Sequence, residues 1–175
     1  RLIQTAQILK DIYKDVKPHE KQALILKDLF YNNVKDIYVE CGRKFGKTFL
    51  LCDALRRYAL LPPNAGCYYI APFQKQAREI LWVSKALHRM IPQQYIKGIN
   101  NTEMRITLYN DAFIKLDGAD NHESYRGIAP HILGYDEIKD HDPAFHVAMN
   151  PNRSVYNAPL IVIGTPPEVE GPATE

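Results

Sequence analysis

The chain has 175 residues, 46% of them hydrophobic and 24% charged, with 22 Lys+Arg against 20 Asp+Glu. That mix excludes disordered, collagen-like and low-complexity classes, and the length suits one domain with a real core rather than two. No run of about 18 apolar residues is there to span a membrane, and a net charge of +2 does not announce a nucleic-acid partner.

In chain order, Leu2, Ile3, Ile8 and Ile12 recur at near-helical spacing until Pro18 breaks the run. Ala23, Leu24, Leu26, Leu29 and Phe30 then predict a second helix ending near Asn32-Asn33. Ile37-Tyr38-Val39-Glu40 is a β-forming run that leads into a Gly/Lys-rich loop. Phe49, Leu50, Leu51, Ala54, Leu55, Tyr58 and Leu61 predict a helix from Lys47 to Leu61, closed by Pro62-Pro63. Cys67 to Ala71 reads as a second buried strand, stopped by Pro72.

One continuous helix is expected from Phe73 to Ile91. At 100° per residue it places Ala77, Ile80, Leu81, Ser84, Leu87 and Ile91 on one face and Lys75, Arg78, Trp82, Lys85 and Arg89 on the other. Met104 to Tyr109 and Ala112 to Leu116 read as a β-hairpin about Asn110-Asp111. His131 to Tyr135 and Leu160 to Ile163 are two further strands, with a short helix around Phe145 to Met149 between them. This alternation predicts an α/β fold, a mostly parallel sheet flanked by helices on both faces, with a β-hairpin insertion. Tyr38, Tyr68, Tyr69 and Tyr135 fall in the strands and are expected in the core.

Three cysteines, Cys41, Cys52 and Cys67, form neither a CxxC nor a Cys/His cluster. A disulfide framework and a structural zinc site are therefore not expected, and a reducing cytosol fits. The chain opens at Arg1 without a signal-peptide pattern, as a processed product or a cut piece would.

Cys41-Gly42-Arg43-Lys44-Phe45-Gly46-Lys47-Thr48 lies between a strand and a long helix. It fits the phosphate-loop pattern G-x-x-x-x-G-K-[ST] except at Cys41. Gly46 allows close approach of the backbone to phosphate, and the amides of Lys44 to Thr48 can form an anion nest at the helix's positive end. Lys47 would reach the β- and γ-phosphates of ATP, and the Thr48 hydroxyl would ligate Mg²⁺. Cys41 is tolerable if its φ is negative. The bland alternative is a helix start after a glycine turn.

Ile132-Leu133-Gly134-Tyr135-Asp136-Glu137 supplies the complementary half at a strand end. Asp136 would hold the Mg²⁺ shell, and Glu137 would polarise the attacking water. Their alternative is two surface acids capping the next helix. Open parallel sheets bind ligands at the carboxyl ends of their strands, where both halves fall.

Together, GRKFGKT, CYYIAP, SYRGIAPHILGYDE and VIGTPPE resemble the ATPase domain of the large terminase subunit, the DNA-packaging motor of tailed phages. The resemblance runs from about Lys17 to Pro167. It implies a P-loop NTPase fold of the ASCE type, with a helical lead-in over residues 1–35, a core over 36–167 and a tail over 168–175. Arg43 resembles a cis-acting arginine finger, and Gln22 an adenine-contacting glutamine. Thr165 in Gly164-Thr165-Pro166 resembles the coupling residue that senses the γ-phosphate. Arg126 matches an arginine-glycine pair whose role stays open. The resemblance further implies ATP and Mg²⁺, double-stranded DNA, a portal protein, a small terminase subunit and a homo-oligomeric ring, although a lone domain would be monomeric. It also implies host cytoplasm as the location. The family's nuclease domain is not expected within these 175 residues.

For DNA, the cations Lys75, Arg78, Lys85 and Arg89 would either face phosphates or form a solvated helix face. Two rival functions share the motifs. One is a superfamily-2 helicase-like translocase, against which Asp136-Glu137-Ile138-Lys139 departs from D-E-x-H and D-E-A-D. The other is a nucleotide-gated binding module with weak or no catalysis.

Overall fold

The computed structural model describes residues 2–125 and 127–166. Arg126 and the expected tail lie outside the described residues. Helices α1 (Leu2–Asp15) and α2 (Glu20–Phe30) form the lead-in. His19 and Gln22 start α2 with a reciprocal cap: Gln22 N–H donates to the imidazole, and His19 N–H donates to Gln22 Oε1.

Strands β1 (Asp36–Glu40), β2 (Gly66–Ala71), β3 (Ile96–Asn100), β4 (Arg105–Leu108), β5 (Phe113–Gly118), β6 (Ile132–Asp136) and β7 (Leu160–Gly164) make one sheet, ordered β1-β7-β6-β2-β5-β4-β3. The first five in that order run parallel, β4 is antiparallel to β5, and β3 is antiparallel to β4. The expected hairpin forms as β4 and β5 about Asn110-Asp111; β5 also pairs with β2, and β3, which the pattern missed, lengthens the antiparallel edge.

Side-chain parity divides the core in two. Cys67, Tyr69, Ala71, Ile161 and Ile163 pack beneath α1, α2 and α3 (Lys47–Leu60). Tyr68, Ile70, Leu133, Tyr135, Leu160 and Val162 face the other layer, with Phe145 and Met149 of α6 (Pro143–Arg153). Gly134 has to be glycine because α3 lies against it: a Cβ there would run into Leu51. A buried network ties α3 to its neighbours. Asp53 accepts from Arg56 and Arg57, and Arg56 also donates to the carbonyls of Ile12 and Met90.

Two expectations are corrected. Tyr38 is 69% exposed, because β1 is an edge strand of the sheet. The helix expected from Phe73 to Ile91 is broken into α4 (Gln74–Ala77), a π-helix (Arg78–Val83) and α5 (Ala86–Met90), with Lys85 left-handed at φ 56°. The wider π turn rotates the following residues off the 100° wheel. Trp82, assigned to the polar face, is therefore 6% exposed, while Ile80, assigned to the apolar one, is 52% exposed. The Trp82 indole donates to Asn101 Oδ1 at 3.2 Å.

Candidate functional site

The loop after β1 turns at Lys44, which takes the left-handed φ of 69°, and at Gly46, φ 81°. Cys41 is not among the positive-φ residues, so its departure from glycine costs the loop no backbone strain. No side chain caps α3, so its first amides remain available at the mouth of an open cleft of about 780 Å³. Arg43, Lys44, Phe45, Gly46, Lys47 and Thr48 form one wall of that cleft, and Glu137, Lys139, Asp140 and Thr165 the other.

The two walls touch. Thr48 Oγ1 donates to Asp136 Oδ2 at 3.4 Å, and the Lys47 ammonium lies 3.9 Å from Glu137 Oε1. Lys47 Nζ donates to the carbonyls of Cys41 (3.0 Å) and Gly42 (3.4 Å) and to Thr165 Oγ1 (2.9 Å). Thr165 in turn holds the acid: its hydroxyl donates to Glu137 Oε1 at 2.6 Å and its N–H to Oε2 at 2.9 Å.

The two adjacent acids are set apart electrostatically. Burial raises the Asp136 carboxyl above its ordinary value, with the Tyr69 hydroxyl donating to it as the main opposing influence. Burial also acts to raise Glu137, but the two Thr165 bonds and the Lys47 charge outweigh it and hold that carboxyl low. Tyr69 is a site neighbour the sequence reading placed only in the core; strand parity, which sends it to the α3 side with the loop, was the available signal.

Gln22 lies where the loop can use it. It is 3% exposed, and its amide nitrogen donates to the carbonyls of Phe45 (3.2 Å) and Gly46 (3.1 Å). Both ends of its amide are thus engaged with the chain itself, and the contact made here is to the loop backbone. A Cβ on Gly46 would come 2.8 Å from that nitrogen.

The four cations proposed for DNA do not share one helix face, since the helix meant to align them is interrupted. Lys75 is exposed beside Glu79 at 3.8 Å, and Lys85 is exposed at the break. Arg78 donates to the carbonyls of Asn101 and Thr102, and Arg89 to that of Ser84. Among the described residues no cluster of three or more His, Cys, Asp or Glu forms a metal site, and no helix is long and apolar enough to cross a membrane.

The phosphate-loop strand β1, the acid-bearing strand β6 and β7 between them define the fold of a P-loop NTPase. More narrowly, it is the fold of the large-terminase ATPase domain. The Thermus phage P74-26 large terminase ATPase domain matches with a TM-score of 0.66 and 22% identity, over 89% of this chain and 67% of that one. The HK97 bacteriophage large terminase matches at TM-score 0.69 and 18% identity, over 86% of this chain and 33% of its own. The large terminase of a thermophilic bacteriophage matches at 0.71 and 15%, over 85% and 39%, and has also been solved with ADP and with ATP-γ-S. The chain thus spans 33% and 39% of the two longer proteins. No family model and no curated protein matches it.

Proposed function

We propose that this chain is the ATP-hydrolysing motor domain of a large terminase, driving double-stranded viral DNA into a procapsid. One observation carries the reading: two stretches nearly 90 positions apart meet across one cleft, Thr48 against Asp136 and Lys47 against Glu137. The likeness of the fold to large terminase ATPase domains supports it, as do the ADP and ATP-γ-S complexes of one such protein.

In this reading Lys47 exchanges its carbonyl partners for β- and γ-phosphate oxygens, and the α3 amides take the remaining charge. Arg43 neutralises charge that develops on the transferred phosphoryl group. Each Glu137 oxygen accepts one bond from Thr165 and keeps a lone pair for the attacking water, which it orients in line. Thr165 touches Lys47 and Glu137 together, so a γ-phosphate that draws Lys47 away is sensed by Thr165.

Mg²⁺ fits the donors present. The Thr48 hydroxyl and the Asp136 carboxylate are hard oxygens, and the burial of Asp136 favours a cation beside it. When bound, the ion would neutralise charge on the β- and γ-phosphate oxygens. Gln22 sets the loop from behind, and adenine recognition by it would require its amide to leave the Phe45 and Gly46 carbonyls.

The test is a pair of variants. Glu137→Gln is expected to abolish phosphate release while retaining binding of a fluorescent ATP analogue. Lys47→Ala is expected to lose that binding. Wild-type turnover by Glu137→Gln removes Glu137 from the mechanism. For the whole protein we extend the proposal to a ring on a portal, to a small terminase partner and to the host cytoplasm. The cations of residues 75–89 would add to DNA affinity singly, a contribution that salt weakens.

A further inference from the structure

Beyond the cleft-lining residues, the turn that presents Glu137 has an unexplained fastening. Glu137 leaves β6 with φ 47° and ψ 57°, a left-handed conformation that disfavours a side chain larger than glycine's. Its backbone N–H still pairs with Ile163 O at 2.8 Å, but its carbonyl turns away to accept from Asp140 N–H at 3.0 Å. The peptide just before it is the problem. Extending the β2–β6 register puts Ala71 opposite Asp136, and the next rung would join the Asp136 carbonyl to the N–H of residue 72. Residue 72 is proline and has none.

His141 fills that place. Its Nε2 lies 2.7 Å from Asp136 O, and since a carbonyl only accepts, Nε2 carries the proton. The ring is 7% exposed and is held by its surroundings: it stacks on His146 at 5.4 Å with 5° between planes, and meets Tyr135 and Phe145 at 5.5 and 6.0 Å. The other nitrogen, Nδ1, is buried with no hydrogen-bond partner among the described residues, so the ring is anchored through Nε2 alone.

We infer that His141 is a positioning residue for hydrolysis: by donating to the carbonyl that Pro72 leaves unpaired, it fixes the turn that aims Glu137 into the cleft. The inference rests on the ATPase reading for its consequence, though not for its geometry.

Two substitutions separate the bond from the ring. His141→Phe keeps the ring packing and removes the donor; His141→Gln removes the ring and keeps an N–H at comparable reach. Steady-state hydrolysis by the intact chain should show kcat reduced about tenfold or more in His141→Phe, with KM for MgATP unchanged, and largely restored in His141→Gln. The reverse order, equal loss in both variants, or wild-type kcat in both overturns the proposal. A crystal structure of His141→Phe is the second readout. Glu137 should leave the left-handed region and at least one of its Thr165 bonds; an unmoved Glu137 overturns the inference. If the wild-type chain hydrolyses no ATP, the ATPase reading fails by itself, and the crystal structure still decides the role of His141.

Discussion

Glu137 shows how much a single residue's backbone can decide. Continuing β6 would bring the Thr165 N–H to the carbonyl of Glu137; instead the residue turns left-handed and offers its own side-chain Oε2 to that N–H. The carboxylate therefore takes over the last rung of the ladder while remaining at the cleft. Thr165 is the other half of this arrangement, because its hydroxyl donates to Glu137 and accepts from Lys47. Thr165→Val keeps the backbone bond and removes both hydroxyl contacts. We expect hydrolysis to fall roughly 10- to 100-fold while nucleotide affinity changes little, measured by phosphate release and analogue titration. Thr165 entered only through the family resemblance, whereas Lys47, Thr48, Asp136 and Glu137 were legible in the sequence because their chemistry is local: a glycine turn with lysine and threonine behind it, and two acids ending an apolar strand. His141 was not, since its partner is a backbone carbonyl and its cause is a proline on another strand.

At the level of elements, the segment from Gln74 to Met90 explains most of what the sequence pattern got wrong. Its spacing is helical residue by residue, but Trp82 is too large to stay outside when Asn101 offers its indole a partner, and the π turn brings it in. β3 was missed for the opposite reason. Ile96-Lys97-Gly98-Ile99-Asn100 alternates weakly and is shaped by pairing with β4, including a register shift between Ile96 and Gly98. Strands that rely only on their own apolar runs, β2, β6 and β7, were read correctly to within a residue or two at their ends. The other element-scale feature is the Asp53–Arg56–Arg57 network, which joins α3 to the carbonyl ends of α1 and α5 from a fully buried position. Asp53 is the carboxylate that both buried guanidiniums contact, so Asp53→Ala should cost about 3–5 kcal/mol in urea denaturation. A loss below about 1 kcal/mol would mean the network is dispensable.

Over the whole molecule, histidine burial sets the acid response. Burial lowers His88, His131, His141 and His146 from 6.5, and pushes His141 down to about 4. Each folded pKa lies below its unfolded value, so as pH falls through 6.5 the unfolded chain takes up protons that the folded one does not. Stability is therefore complete above 6.5 and declines below it, until His141 itself protonates near 4. The raised Asp136 works against this only at the acidic end. The urea midpoint should be lower at pH 5 than at pH 7.5, with His141 contributing up to about 2 kcal/mol and the more open three less. His141→Gln should flatten that loss, and an unchanged slope would show that the ring titrates alike in both states.

The uncovered edge at β1 carries one more consequence, for self-association. Its sequence is Asp36-Ile37-Tyr38-Val39-Glu40, so an antiparallel encounter of two copies centred on Tyr38 sets Asp36 of each against Glu40 of the other. Facing carboxylates repel, and such gatekeeping charges keep an exposed sheet margin from templating fibrils.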